Sequence, residues 1–153
     1  MSPQPVARRA ARPQPIDPRG PRTNQAVLAT GLVAGFLADW WVVAPVFAVV
    51  LFLGAAFGAR YGPVLRIYAD VVRPRLRPPA HMEDPRPPRF AATVGVVFLV
   101  AATVAFGAGA DALGWVLALV VAALAALAAV TGVCVGCEMW LFYARRRRVE
   151  LAA

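Results

Sequence analysis

This sequence is poor in charge and contains no lysine. Only 16% of its 153 residues are charged, while 60% are hydrophobic and the mean hydropathy is +0.63. A soluble domain has about a quarter of its residues charged, so the shortage of charge excludes an ordinary soluble fold and predicts an integral membrane protein. Because all 16 basic residues are arginine, the absence of lysine is better explained by a GC-rich genome than by a physical demand.

The sequence also lacks the motifs of common enzymes. It has no glycine-rich phosphate loop and no G-x-G-x-x-G pattern. With one histidine, His81, and two cysteines, it falls short of the four ligands of a zinc site unless carboxylates or a second copy contribute. We therefore expect no metal and no cofactor. The predicted spans carry no central charge, which counts against an ion pathway.

Long apolar runs predict the fold. There are four of them, at about 24–39, 42–58, 90–107 and 113–136. The first two are short for a span, which needs about 20 residues, but one helix through Asp39 would be about twice as long as the bilayer is thick. We therefore expect an all-α fold, a four-helix transmembrane bundle forming one membrane domain at 24–143. Thr23 or Asn24 is the expected N-cap of the first helix.

The arginines predict the orientation of these helices. Five lie in the segment 1–23, seven in the loop 59–89 and four in the segment 144–153, while the two short turns carry none. Positive charge holds loops on the cytoplasmic side. We therefore expect a multi-pass protein of the inner (plasma) membrane, with a disordered N-terminal tail, a basic C-terminal tail and both termini cytoplasmic. The lipid bilayer is the expected partner of the arginines, and nucleic acid is not.

The central loop is predicted to contain a short amphipathic helix in the headgroup layer. From Pro63 to Arg73, apolar side chains recur at helical spacing, with charged side chains on the other face. Pro74 should end this helix. The prolines at 78–79 and 85–88 should keep the rest of the loop extended.

The candidate chemical site is the only cysteine pair, Cys134-Val135-Gly136-Cys137. On a continuous helix both thiols would share one face, and the topology puts them at the cytoplasmic surface. A C-x-x-C in a reducing compartment is usually catalytic, redox-sensing or metal-binding. The alternative is that each cysteine packs as a small apolar residue.

The helix dipole decides how reactive such a pair can be. If the fourth helix runs through Cys134, its negative end disfavours thiolate. A break at Gly132 or Gly136 would let Cys137 open a new helix and reverse the effect, and the sequence leaves both possibilities open. Glu138, at the same depth, is expected to pair with an arginine.

Three stretches of the chain carry a family resemblance. They lie at 16–26, 83–91 and 134–138 and read IDPRGPRTNQA, EDPRPPRFA and CVGCE. In this order they resemble a bacterial integral membrane family, domain of unknown function 4395, over about 16–143. Members often occur beside thioredoxin-like and rhodanese-like (thiosulfate sulfurtransferase) proteins, which implies a soluble thiol partner. The resemblance also implies that one membrane face holds both cysteines together with Asp17, Arg19, Arg22, Asn24 and Arg89.

The leading hypothesis is a dithiol at the cytoplasmic face. Cys134 and Cys137 would exchange electrons or sulfane sulfur with a soluble thiol protein, and Arg22 and Arg89 would stabilise the thiolate or a bound sulfur oxyanion. One alternative is a non-enzymatic membrane scaffold or assembly subunit, and another is a transporter for a sulfur oxyanion. Whether the protein is an enzyme, and whether it forms a homo-oligomer, stays open.

Overall fold

The computed structural model describes residues 16–58, 61–77, 79 and 82–152, and within them the chain is all-helical, as expected. The only β-bridge among these residues joins Ile16 to Glu83. The helical elements are α1 (Arg19–Leu37), α2 (Val43–Phe57), α3 (Pro63–Ile67), a π-helical turn (Tyr68–Val72), a 3-10 turn (Arg73–Arg75), α4 (Arg86–Gly107), α5 (Asp111–Thr131) and α6 (Val135–Ala152). Most of the predicted N-terminal tail, residues 1–15, and His81 lie outside the described residues.

Four helices, α1, α2, α4 and α5, pack into an up-and-down bundle. Helix α4 lies between α2 and α5, and α5 lies between α4 and α1. Tight turns join α1 to α2 and α4 to α5, and Asp39 and Gly109 adopt positive φ angles of 50° and 75° in them. At the opposite end, α1 and α4 begin and α2 and α5 end. We call this the arginine end, because Arg22 and Arg89 lie there, and we call the end with the tight turns the aromatic end.

Small and aliphatic side chains fill the core. Among the described residues, Leu32 and Leu99 are the largest fully buried ones, and most of their core neighbours are alanines of α1, α2, α4 and α5. Small side chains allow helix backbones to approach closely, which is how helices associate in lipid. Among the described residues, no polar or charged side chain is buried. Polar groups therefore collect at the ends of the bundle.

The outer surface of the bundle is apolar. The four bundle helices, α1, α2, α4 and α5, all expose large apolar side chains, and Val130 of α5 is 85% exposed. Helices α4 and α5 are long and apolar enough to cross a bilayer, whereas α2 has only 15 residues. These two helices suggest membrane association, in agreement with the predicted membrane localisation.

The start of α1 differs from the prediction. The helix begins at Arg19, ahead of both Thr23 and Asn24, so neither residue is its N-cap. The Asp17 carboxylate caps this end instead, because its Oδ1 accepts a hydrogen bond from the Arg19 N–H at 2.9 Å. The Thr23 hydroxyl donates to the Arg19 carbonyl within the helix.

The prolines also behave differently from the prediction. Pro87 and Pro88 lie in the first turn of α4, where a missing N–H costs nothing. Asp84 supports this start by accepting the Arg86 N–H at 2.9 Å. In the loop, the helical path that begins at Pro63 continues through Pro74 as a 3-10 turn. The prediction that these prolines keep the chain extended was therefore wrong for the start of α4.

The fourth apolar run is not one helix to residue 136. Helix α5 ends at Thr131, and α6 then begins at Val135. The predicted C-terminal tail, 144–153, continues α6 as far as Ala152. The cysteine pair lies where these two helices meet.

Candidate functional site

Gly132 ends α5 just before the cysteines. Its φ of +77° is left-handed, a conformation that glycine adopts at little cost and that commonly ends helices. Its N–H donates to the Ala128 carbonyl, and the Thr131 hydroxyl oxygen accepts the Val133 N–H at 3.1 Å. The break therefore occurs at Gly132, while Gly136 lies inside α6.

Cys134 occupies the N-cap position of α6. Its carbonyl accepts the Glu138 N–H at 3.0 Å, and its Sγ accepts the Cys137 N–H at 3.4 Å. An oxygen of Ser, Thr, Asp or Asn usually takes this capping role, so here a sulfur replaces it. Cys137 lies one turn into the helix. The positive end of the α6 dipole therefore faces Cys134 and favours a thiolate.

The two thiols are inequivalent. The pKa of Cys134 is lowered from 9.0 to about 6, mainly by the hydrogen bond from the Cys137 thiol and also by the backbone N–H groups of Cys137 and Gly136. Burial and the charge of Glu138 oppose this change. The pKa of Cys137 is raised by the same hydrogen bond, by burial, and by nearby negative charge. The hydrogen bond and the helix N-terminus therefore favour the thiolate at Cys134 over the thiolate at Cys137.

Close packing against α4 positions the first turn of α6. A Cβ at Gly136 would lie 2.7 Å from the Ala91 Cβ and 2.9 Å from its Cα. Only glycine leaves room for this approach, because the atoms it meets include backbone. Gly136 therefore allows α6 to pack closely against α4, and Gly132 allows the chain to end α5.

Both half-buried cysteines line a cavity of about 340 Å³ between α1, the segment before α4, and α6. The charged residues around it are Arg22, Glu83, Asp84 and Glu138. Glu138 makes no ion pair within the described part of the chain, in contrast to the prediction that it would pair with an arginine. The cavity gives a small reactant access to the thiolate.

The two arginines proposed to act on the thiolate have different surroundings. Arg22 lies beside the break, because a Cβ at Gly132 would overlap its guanidinium group. Arg89 instead donates to the carbonyls of Ala55 and Ala56, at 2.9 to 3.1 Å, and so caps the C-terminus of α2. The structure brings Arg22 to the cysteine cavity but not Arg89.

The remaining predicted residues, Asp17, Arg19 and Asn24, lie at the start of α1 but do not line the cysteine cavity. Asp17 accepts a hydrogen bond from the Tyr68 hydroxyl at 3.2 Å, and Arg19 donates to the Arg77 carbonyl at 3.1 Å. Asn24 lines a larger cavity of about 690 Å³. These residues share the arginine end with the cysteines, but their contacts are with the central loop.

Gln25, Glu83 and Asp84 also line the cysteine cavity, whereas the sequence singled out the two acids only as weak candidates for metal ligands and gave Gln25 no role. Gln25 follows Arg22 at helical i+3 spacing, so the helix periodicity could have found it. Glu83 and Asp84 reach the cavity through the packing of the central loop, including the bridge from Glu83 to Ile16. No local pattern predicts that contact. Among the described residues, no group of three or more Cys, His, Asp or Glu side chains is arranged to hold a metal.

Fold and site together define an all-helical protein with membrane-capable helices and a helix-capping cysteine pair. The chain belongs to the family described as a domain of unknown function (DUF4395), whose family model matches residues 16–145. The resemblance carried by the three motifs is thereby confirmed. Comparisons with curated proteins and with solved structures found no match.

Proposed function

We propose that this protein is a four-span membrane protein, with α1, α2, α4 and α5 as its spans and both termini in the cytoplasm. Three observations support this proposal: the apolar outer surface, the absence of buried polar side chains among the described residues, and the clustering of arginines at one end. Positive charge favours the cytoplasmic side. The arginine end then faces the cytoplasm of the inner (plasma) membrane, and the cysteines lie at its surface.

We further propose that the cysteine pair is a dithiol that exchanges with a soluble thiol protein of the thioredoxin-like or rhodanese-like kind. The observation that carries this is the capping of α6 by the Cys134 sulfur, which accepts the Cys137 N–H. A thiolate, not a thiol, is the nucleophile in exchange. Cys134 is therefore the attacking residue and Cys137 the resolving residue.

The exchange needs a disulfide on the partner as oxidant. The Cys134 thiolate attacks one sulfur of that disulfide, a mixed disulfide forms, and the partner's other sulfur leaves as thiolate. The negative charge on Cys134, which raises the pKa of Cys137, is then gone. Cys137 loses its proton to solvent and attacks the Cys134 Sγ, which forms the intramolecular disulfide and releases the reduced partner. Two electrons pass from the protein to the partner.

Handling of sulfane sulfur would begin with the same nucleophile. The Cys134 thiolate would attack the outer sulfur of a partner persulfide, the donor would leave as thiolate, and Cys134 would carry the persulfide. A protein adduct heavier by one sulfur atom would identify this branch, whereas a protein-sized mixed disulfide would identify the first. Both branches require Cys134 as thiolate.

The test is alkylation of the full-length protein in membranes over a range of pH. We expect Cys134 to be modified with a midpoint near pH 6, because its pKa is lowered to about 6, and Cys137 to react slowly. Cys137→Ser keeps a hydrogen-bond donor beside Cys134 and should accumulate a mixed disulfide with the partner. Cys134→Ser is the matched control and should trap nothing.

Two results would contradict the proposal. One is a Cys134 midpoint above pH 8, which would mean that the cap does not favour the thiolate. The other is equal trapping by both single variants. If both cysteines are unreactive and the double variant keeps a stoichiometric membrane partner, the protein is a scaffold instead.

A further inference from the structure

The larger cavity at the arginine end has the size of a ligand site. Its volume of about 690 Å³ falls within the roughly 300–1,000 Å³ typical of small-molecule sites. It lies between the start of α1, the end of α2, and the central loop. It shares Pro21, Gln25 and Pro88 with the cysteine cavity, so the two cavities border each other along one side of α1.

Most charged side chains around this cavity already have partners. Arg66 pairs with Asp70 at 3.7 Å, and Arg89 caps α2. Asp17 accepts the Tyr68 hydroxyl. Arg66 therefore offsets the charge of Asp70, and the Tyr68 hydroxyl satisfies one oxygen of Asp17.

Three polar lining residues have no such partner within the described residues. They are Arg73, Asn24 and Gln25, and none of them has a side-chain hydrogen bond or an ion pair there. Arg73 supplies a guanidinium group for an anion. The two amides can donate and accept hydrogen bonds. Gln25 also borders the cysteine cavity, so a ligand held by all three can extend toward Cys134.

We propose that the larger cavity binds a small anionic disulfide from solution, held by Arg73, Asn24 and Gln25 with its sulfurs directed toward Cys134. This inference rests on the proposed exchange function and names a substrate class for it. The Cys134 thiolate attacks one sulfur of the ligand, the ligand's S–S bond breaks, and its other half leaves as an anionic thiolate. Cys137 then resolves the mixed disulfide as described above, and the ligand takes up two electrons.

The kinetic test compares two probes of the same length in the Cys137→Ser protein. One is 3,3′-dithiodipropionate, which carries two carboxylates, and the other is its uncharged diamide, 3,3′-dithiodipropionamide. We expect Arg73→Gln to slow the reaction of Cys134 with the anionic probe by about fivefold, the upper range for one exposed ion pair, and to leave the neutral probe unaffected. Arg75→Gln is the matched control, because Arg75 lies two residues away, bonds the Val71 carbonyl, and does not line the cavity. Equal slowing by both variants would overturn the proposal.

A binding test separates this inference from the exchange chemistry. Equilibrium dialysis of radiolabelled 3,3′-dithiodipropionate uses the Cys134→Ser/Cys137→Ser protein in detergent, so no thiol is needed. Saturable binding that Arg73→Gln removes and Arg75→Gln preserves supports the site, whatever the reactivity of the cysteines. Absence of saturable binding overturns it. Loss of binding in vesicles of phosphatidylglycerol, with binding kept in vesicles of neutral lipid, also overturns it, because a lipid phosphate would then be the occupant.

Discussion

The two ends of the bundle have opposite character. At the aromatic end, Trp115 contacts Phe36 and Phe106 edge to face, with ring centroids 5.3 and 5.0 Å apart. Tight turns without arginine close this end. At the arginine end, a long segment joins α2 to α4. Cavities of about 690 and 340 Å³ lie there, and both cysteines line the smaller one.

This difference shows which end can do chemistry. Edge-to-face rings fill space, so the aromatic side chains hold the helices together at that end. The arginine end combines cavities, unpaired polar groups and a helix N-terminus aimed at a sulfur. The reactivity of the cysteines should therefore depend on the conformation and the charges of the arginine end, and not on its exposure alone.

The largest expected effect comes from one substitution made at both ends. Gly132 and Gly109 have nearly the same φ, +77° and +75°, but a Cβ at Gly132 would overlap Arg22 while a Cβ at Gly109 would meet nothing within 4 Å. Gly109→Ala should lower the free energy of unfolding only by the cost of a left-handed alanine, about 1 kcal/mol. Gly132→Ala should lower it by somewhat more, about 1–2 kcal/mol, because the guanidinium group of Arg22, the end of a flexible side chain, must also shift. Unfolding in mixed detergent micelles measures both.

The same pair of variants should also separate the reactivity of the cysteines. Gly132→Ala should shift the alkylation midpoint of Cys134 upward, since the break sets the cap, and Gly109→Ala should leave it near pH 6. Equal stability losses, with equal midpoints, would mean that the contact between Arg22 and Gly132 has no role at the site.

A smaller effect is expected for Arg89. Arg89→Gln removes hydrogen bonds to the Ala55 and Ala56 carbonyls, and water can replace them at this exposed position, so the loss should be about 1 kcal/mol. The alkylation midpoint of Cys134 should not change, because Arg89 does not line the cysteine cavity. Arg86→Gln, at the start of the same helix, is the control for lost charge. A higher midpoint in Arg89→Gln alone would restore the role that the sequence suggested for Arg89.

Composition and charge were enough to predict the coarse features. The apolar runs predicted an all-helical chain, and the positions of the arginines predicted that these side chains lie at one end of the bundle. Arg22 and the cysteines, which the motif resemblance placed on one membrane face, line the same cavity. Such features depend on many residues at once, so a single local exception does not change them.

The conformation at the cysteines could not be predicted, because two glycines with similar neighbours have different roles. Gly132 meets Arg22 from α1, and Gly136 meets Ala91 from α4. Those contacts come from distant segments of the chain, and they decide which glycine breaks the helix. The sequence therefore left open whether the helix continues through Cys134 or breaks so that Cys137 opens a new one, whereas in the structure it breaks and Cys134 caps the new helix. The contact of Arg89 with the end of α2 likewise depends on long-range packing, which the sequence did not predict.

The smallest expected effect comes from Glu138. Its charge raises the pKa of Cys134, so Glu138→Gln should lower that pKa and increase the thiolate fraction at acidic pH. Below the midpoint the alkylation rate follows the thiolate fraction, and one exposed charge is worth roughly 0.2–1 kcal/mol. We therefore expect the rate at pH 5 to rise about twofold and the rate at pH 8 to stay the same, because Cys134 is already ionised there.

Glu83→Gln is the matched control for this last experiment. Glu83 lines the same cavity, but its charge acts on Cys137, so its removal should leave the alkylation of Cys134 unchanged at both pH values. An equal rise in both variants would mean that the cavity responds only to its total charge. A rise in Glu138→Gln alone would mean that the thiolate is next to the first turn of α6, because only a short distance lets one carboxylate act and the other not. The cap geometry at the arginine end requires that result.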